Sequence, residues 1–219
     1  MEPSMVESGP GWTLWRTPGG TWVETCDDLA DVLPEGVDVA VVAAGWPRGR
    51  WTFTFTGTAA PYEAPMGVRA DPLLTASMTV LAAAKQARVH GALATFGELV
   101  AQAPAVGVTA ARVTAVLDLR AVTEAERDAL ADAVVTAARG RAQRDRTHVE
   151  VTTDTLTGAL RFDPDVVETL CARLGAPPLT SPGVGPPGGP GGAHGSKAAA
   201  VALRRRDDAL VRNALAVLP

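Results

Sequence analysis

The chain has 219 residues, 47% of them hydrophobic, and a formal net charge of −4. That is enough apolar material for one sizeable core plus part of another, and it excludes a disordered polymer. The acidic balance offers no general attraction to nucleic acid or anionic lipid, so neither is an expected partner.

Cys26 and Cys171 match no disulfide framework and no C-x-x-C redox or zinc motif, which fits a reducing compartment. The sequence opens Met-Glu-Pro-Ser without a basic region or apolar core, and its longest apolar run, around Val39 to Ala44, is far shorter than a bilayer span. A cytoplasmic protein without a membrane anchor is expected. Only two lysines accompany the abundant Arg, Ala, Gly and Pro, a composition that lowers the weight of any single Ala or Arg.

Residues 1–20, rich in Gly, Pro and Ser with Trp12 and Trp15 as large apolar groups, read as an irregular leader. A β-branched segment runs from Val37 to Val42, and Gly45-Trp46-Pro47-Arg48-Gly49 supplies turn chemistry after it. Over 51–57, Trp51, Phe53 and Phe55 alternate with Thr52, Thr54 and Thr56, the period of a strand with one buried face. Asp71-Pro72 starts a helix in which Leu74, Met78, Leu81 and Ala82 recur at helical spacing up to about Val89, and Gly91 ends it. Strands are predicted from Leu93 to Ala101 and from Arg112 to Arg120. Thr123 and Glu126 form a capping-box pattern ahead of a helix whose stripe is Leu130, Val134 and Ala138. His148 to Thr155 is a further strand.

This order is strand, helix, strand, strand, helix, strand. It predicts an α+β, ferredoxin-like βαββαβ sandwich in which a four-stranded antiparallel sheet carries two helices on one face. A third helix is expected from Asp163-Pro164 to Gly175, with Val167, Leu170, Cys171 and Leu174 as its apolar stripe. Residues 176–195 read as a flexible Pro/Gly connector, and a last helix is expected over about 197–217.

From about Trp22 to Gly175 the sequence resembles the zinc-dependent amidohydrolases that include allantoate amidohydrolase and N-carbamoyl-L-amino-acid hydrolase. The resemblance rests on Gly49-Arg50-Trp51-Thr52-Phe53 through Gly57, Asp71-Pro72 with Met78-Thr79-Val80-Leu81, and Ala94-Thr95-Phe96-Gly97. It continues in Arg112-Val113-Thr114-Ala115, Asp118-Leu119-Arg120 and Arg161-Phe162-Asp163-Pro164. It implies that residues 49–158 are a dimerisation, or lid, domain inserted into a larger α/β catalytic domain, of which 21–48 and 160–219 are remnants. In that family the catalytic domain holds two divalent metals, zinc or manganese, through His, Asp and Glu. The resemblance further implies that the half supplying most ligands and the general-base glutamate has no counterpart in these residues.

The resemblance also places degraded motifs. The metal-binding His of a V-E-L-H-V-E-Q-G pattern falls on Cys26, and the Asn-His-Ala-Gly motif falls on Ala60-Pro61-Tyr62-Glu63. A substrate-contacting Asn falls on Gly107, and only His194 matches a late metal ligand. Arg120 is retained; in relatives it holds the substrate carboxylate.

Metal-assisted amide hydrolysis needs a metal-bound water, a carboxylate base and oxyanion donors, and even open zinc sites keep about three protein ligands. Cys26 and His194 are vestigial ligand candidates at most, with a small semi-buried thiol and a solvated loop residue as the plain alternatives. His90, at a helix end, and His148, in a strand, read as structural. Arg120 is the substrate-binding candidate, since a guanidinium can hold a carboxylate by paired hydrogen bonds, but Asp118 on the same strand face offers an ordinary ion pair. The Gly-rich run at 183–192 lacks a Gly-Lys-Ser/Thr ending, and Arg204-Arg205-Arg206 before Asp207-Asp208 reads as a solvated, locally paired helix face.

The expectation is therefore a dimerisation module with no catalytic residues and no cofactor of its own. It would pair as a homodimer through the 71–90 helix and the 93–101 strand. The alternatives are a component of a hydrolase of linear ureido or carbamoyl C–N bonds whose missing ligands come from a separate catalytic half, and a carboxylate-binding module.

Overall fold

The computed structural model describes residues 2–9, 11–26, 33–182 and 198–218. The chain divides into two compact units, one formed by Met1–Trp46 with Ala159–Pro219, the other by Pro47–Gly158.

The contiguous unit contains β5 (Arg48–Thr56), α1 (Pro72–Val89), β6 (Leu93–Gln102), β7 (Arg112–Arg120), α2 (Glu124–Asp145) and β8 (His148–Thr157), numbered in the order of the whole chain. Its strands form a four-stranded sheet in the order β6-β7-β5-β8, antiparallel at every pairing. Alternation decides what each face carries. Trp51, Phe53 and Phe55 of β5 and Val113, Ala115, Leu117 and Leu119 of β7 are buried and share one core with both helices. Phe96 of β6 meets Phe53 edge-on, with ring centroids 5.7 Å apart.

Local chemistry sets the helix starts. The Asp71 carboxylate accepts from the Leu73 N–H ahead of Pro72, and Thr123 and Glu126 form a complete reciprocal capping box. Helix α2 buries Leu130, Val134 and Ala138, the stripe expected from its spacing.

Helix α1 departs from expectation. Its buried residues are Pro72, Thr75, Ala76, Thr79, Ala83 and Ala87, whereas Leu74, Met78 and Leu81 are exposed. The small side lies inward because the aromatic rings of β5 already fill the space beneath it, so the helix approaches closely only through Ala and Thr.

The discontinuous unit holds β1 (Ser4–Gly9), β2 (Trp12–Arg16), β3 (Trp22–Cys26), β4 (Val39–Gly45), β9 (Leu160–Arg161), α3 (Pro164–Leu174), β10 (Pro178–Ser181), β11 (Ala198–Leu203) and α4 (Asp208–Leu215). Its seven-stranded sheet runs β1-β2-β3-β11-β4-β10, with β9 also paired to β4. The strands β1, β2 and β3 form an antiparallel meander; β11 lies parallel to β3 and antiparallel to β4, and β10 lies parallel to β4.

Three expectations fail in this unit. Residues 1–20 are not an irregular leader but supply two strands, because Leu14 and Trp15 are buried and the Trp15 indole donates to Thr25 Oγ1 at 3.3 Å. The Pro/Gly connector begins with a strand at 178–181 that pairs with β4. The last helix is instead a strand followed by a short helix. Ala198–Leu203 has good helix formers, yet it lies between β3 and β4, where Ala199 to Leu203 are almost wholly buried, and pairing on both sides overrides propensity. Asp207 then caps α4 by accepting from the Leu210 N–H.

Helix α3 matches its predicted bounds. Asp163 caps its start, Gly175 ends it in the left-handed conformation at φ 60°, and Val166, Val167 and Leu170 are buried.

Candidate functional site

Arg120 closes β7 on the sheet face opposite the aromatic core. Its Nε donates to Asp118 Oδ1 at 2.9 Å, and Arg50 Nη2 lies 3.8 Å from Asp118 Oδ2. The pairing anticipated between Asp118 and Arg120 therefore exists, and both side chains remain about a quarter exposed, at 26% and 27%. Arg48 and Arg50 stand on this face too, because Gly49 and Trp51 between and beyond them are buried. Beneath the strand ends, the Arg127 guanidinium of α2 is buried and donates from Nη1 to the Arg48 carbonyl at 3.3 Å and the Thr157 carbonyl at 2.9 Å. It also pairs with Asp128 at 2.8 Å. This buried clamp was not found by sequence reasoning; an Arg in the first turns of an otherwise apolar helix stripe was the available signal.

Cys26 is buried at the end of β3, and its thiol donates to Glu24 Oε1 at 3.2 Å. Glu24 is itself only 1% exposed, and its Oε2 has no hydrogen-bond partner among the described residues. Burial raises the Glu24 pKa above 4.5, against the smaller opposing effect of the Cys26 hydrogen bond. Cys171, on α3, also has its thiol pKa raised by burial. The Cys171 environment does not favour a reactive thiolate.

Among the described residues no three His, Cys, Asp or Glu side chains come close enough together to hold a metal ion. Cys26 and Glu24 offer two donors, fewer than a zinc or manganese site of the expected kind requires. The described donor set does not fit such a centre. His194 and the Gly-rich run 183–192 lie outside the described residues.

His90 caps the C-terminus of α1 through its backbone N–H to Gln86 O, and His148 opens β8 fully on the surface, 3.7 Å from Glu150. The positions singled out by the resemblance as Ala60–Glu63 and Gly107 do come together. Ala60 N–H donates to Thr109 Oγ1 at 2.9 Å, Thr109 N–H donates back to Ala60 O at 2.9 Å, and Pro61 bridges to Val108. Gly107 adopts φ 81°, and a Cβ there would lie 3.6 Å from the Tyr62 ring. Neither segment brings a His or Asn to this junction. The Arg204-Arg205-Arg206 run sits between β11 and α4, with Arg206 in a two-point pair with Asp208 at 2.9 and 3.1 Å and Arg204 donating to the carbonyls of Val37 and Pro34.

No helix among the described residues is long and apolar enough to cross a membrane. No protein-family model matches the sequence, and a search of curated proteins finds no match. Solved structures do match. A hydantoinase/carbamoylase family amidase from Burkholderia ambifaria superposes with TM-score 0.73 at 22% identity, over 89% of this chain and 50% of that one. A second amidase of that family, from Burkholderia multivorans, gives 0.73 at 19%, over 89% and 52%. AtUAH in complex with (S)-hydroxyglycine gives 0.73 at 18%, over 89% and 51%. The chain thus spans about half the length of the structures it matches. At these identities the likeness establishes the fold, a mixed α/β arrangement shared with part of the hydantoinase/carbamoylase amidases.

Proposed function

We propose that this chain is a relative of the allantoate and N-carbamoyl-amino-acid amidohydrolases that works as a dimerisation module and does not hydrolyse substrate by itself. In this reading Pro47–Gly158 is the ferredoxin-like lid domain and the discontinuous unit is the remainder of a catalytic domain. One observation carries it: α1 turns Leu73, Leu74, Met78 and Leu81 outward while burying Ala and Thr. β6, which follows α1 in the chain, forms an edge of the sheet and leaves Leu93, Leu99 and Val100 exposed. A helix face of large apolar groups and an unpaired strand edge are the two elements an isologous dimer uses, the helix burying its face against its twin and the edge extending the sheet.

Light scattering at micromolar concentration tests the assembly: a dimer mass unchanged by zinc or a chelator supports the reading, and a monomer overturns it. Incubation with allantoate or N-carbamoyl amino acids in added zinc or manganese tests the chemistry. Turnover by the purified chain would remove the non-catalytic part of the proposal.

Two further readings have specific support. The half-length match to amidases favours a hydrolase component completed by a separate catalytic half, whose reading frame should then lie nearby in the genome. Arg120, partly exposed on the open sheet face, favours a carboxylate-binding role without turnover. Calorimetry with N-carbamoyl amino acids on wild type and Arg120→Ala separates that role from a purely structural ion pair.

A further inference from the structure

Strand β3 is where the seven-stranded sheet changes character. On one side it lies parallel to β11; on the other it takes β2 antiparallel over consecutive pairs from Trp12 opposite Cys26 to Arg16 opposite Trp22. Val23, Glu24, Thr25 and Cys26 are all buried, which is the condition of an interior strand and not of an edge. The β1–β2 hairpin of the same chain is what makes β3 interior.

Side chains anchor the hairpin as well as the ladder does. Trp15 is wholly buried in the same core as Val23, and the Arg212 guanidinium of α4 lies over its ring, 5.2 Å from the centroid. Thr25 Oγ1, which accepts from the Trp15 indole, donates in turn to the Thr13 carbonyl at 3.3 Å. Arg16 lies over Trp22, its cross-strand neighbour, 5.4 Å from the ring centroid. A short turn joins β2 to β3: Thr17 N–H donates to Thr21 O at 2.9 Å, Gly20 N–H donates to Thr17 O at 3.0 Å, and Gly20 takes the φ of 90° that the turn requires. So short a tether holds the hairpin at the β3 edge at a local concentration of about millimolar or above, which a strand from another molecule has to outcompete.

The edge that the hairpin leaves in exchange is a poor one. Pro3 stands directly before β1, the pairing of β1 with β2 slips between Met5 and Glu7, and Glu7 is exposed on the strand. A proline, a bulge and a charge are devices that stop an edge strand from recruiting another.

We propose that the β1–β2 hairpin is an edge guard, which completes the sheet in cis at β3 and bars a second polypeptide from adding a strand there. A separate catalytic half, if one joins this chain, joins it at another surface. Dimerisation through α1 and β6 belongs to the Pro47–Gly158 unit and does not depend on the guard.

Fluorescence polarisation with a labelled peptide of residues 2–18, the hairpin itself, added to the full chain tests the guard. The apparent affinity is the intrinsic affinity scaled by the fraction of molecules whose own hairpin has lifted. Truncating the buried Trp15 to Ala raises that fraction about a hundredfold or more, while the peptide brings its own Trp. Wild type should therefore leave the peptide free at micromolar concentration, and Trp15→Ala, folded by circular dichroism, should bind it about a hundredfold or more tightly than wild type. Trp15→Phe keeps an aromatic ring and loses the bond to Thr25; it should gain about tenfold and stands in if the Ala variant does not fold. Hydrogen exchange of wild type needs no variant: amides of Val23–Thr25 should be as protected as those of Ala200–Ala202 in β11.

Peptide binding by wild type as tight as by the variants overturns the guard. So do folded variants that bind no better than wild type, or β3 amides that exchange as fast as those of Ser4–Gly9.

Discussion

Replacing Arg127 by Met gives the sharpest test of how the Pro47–Gly158 unit is held at its ends. The guanidinium is only 3% exposed and donates to the carbonyls of Arg48 and Thr157, the first residue of β5 and the last of β8. Met keeps the apolar stem and fills most of the volume, so the change removes the hydrogen bonds and the charge with little cavity. Each bond from a charged donor is worth about 1.5–3 kcal/mol, and relief from burying the cation returns part of the sum, so a net loss of about 2–4 kcal/mol is expected. Against a domain stability of about 5–15 kcal/mol that is a large fraction.

Tryptophan fluorescence reports mainly on the other unit, which holds Trp12, Trp15, Trp22 and Trp46, so hydrogen exchange is the better assay. Amides of Arg48–Trp51 and Thr153–Thr157 should lose protection first, ahead of those near Phe55 and Val149. Arg127→Lys, which can reach one carbonyl as a point donor, should fall between the two. If Arg127→Met leaves both protection and unfolding free energy within about 0.5 kcal/mol of wild type, the clamp is not structural and the argument from its bonds fails.

Three more outcomes follow from the packing and the buried acid. Glu24 has a pKa raised above 4.5 by burial, so the folded state binds this proton more tightly than the unfolded chain; the associated stability is complete below 4.5 and is lost as pH rises through the folded pKa. Glu24→Gln should flatten that decline in urea unfolding followed between about pH 4 and pH 8, and parallel profiles for the two proteins would refute it. Ala83→Leu, placed where α1 buries its small side, should cost about 1–3 kcal/mol in thermal or urea unfolding. Leu81→Glu on the opposite, exposed side should leave the circular dichroism unchanged and, under the proposed dimerisation through this face, give a monomer mass by light scattering where wild type gives a dimer.

The Pro47–Gly158 unit was readable because each of its elements announces itself within a few residues. Thr-aromatic alternation fixes β5, Asp71-Pro72 and the Thr123–Glu126 box fix two helix starts, and Arg112–Arg120 alternates cleanly. Helix α1 was placed correctly but turned the wrong way. Size suggested that Leu74, Met78 and Leu81 face the core, while the volume already taken by Trp51, Phe53 and Phe55 admits only Ala and Thr. Arg48 and Gly49 read as turn residues in the sequence, whereas β5 already begins at Arg48, and its register against Arg120 depends on cross-strand pairing that no local pattern supplies.

The other unit hid itself for a different physical reason. Its β11 pairs with β3, whose partner residues lie more than a hundred positions earlier, and β11 is built from Ala, Val and Leu that are almost wholly buried, so it shows neither the period of two nor a helical stripe. An Ala-rich run without periodicity is read as helix on propensity, and only the neighbouring strands reverse that. The same burial governs Glu24 and Cys26. The resemblance points to Cys26, yet the neighbouring Glu24 carboxylate is enclosed with it, one oxygen accepting from the thiol and the other without a hydrogen-bond partner among the described residues. The Cys26 thiol is thus committed to a residue whose burial is a property of the assembled sheet, which no local sequence pattern reveals.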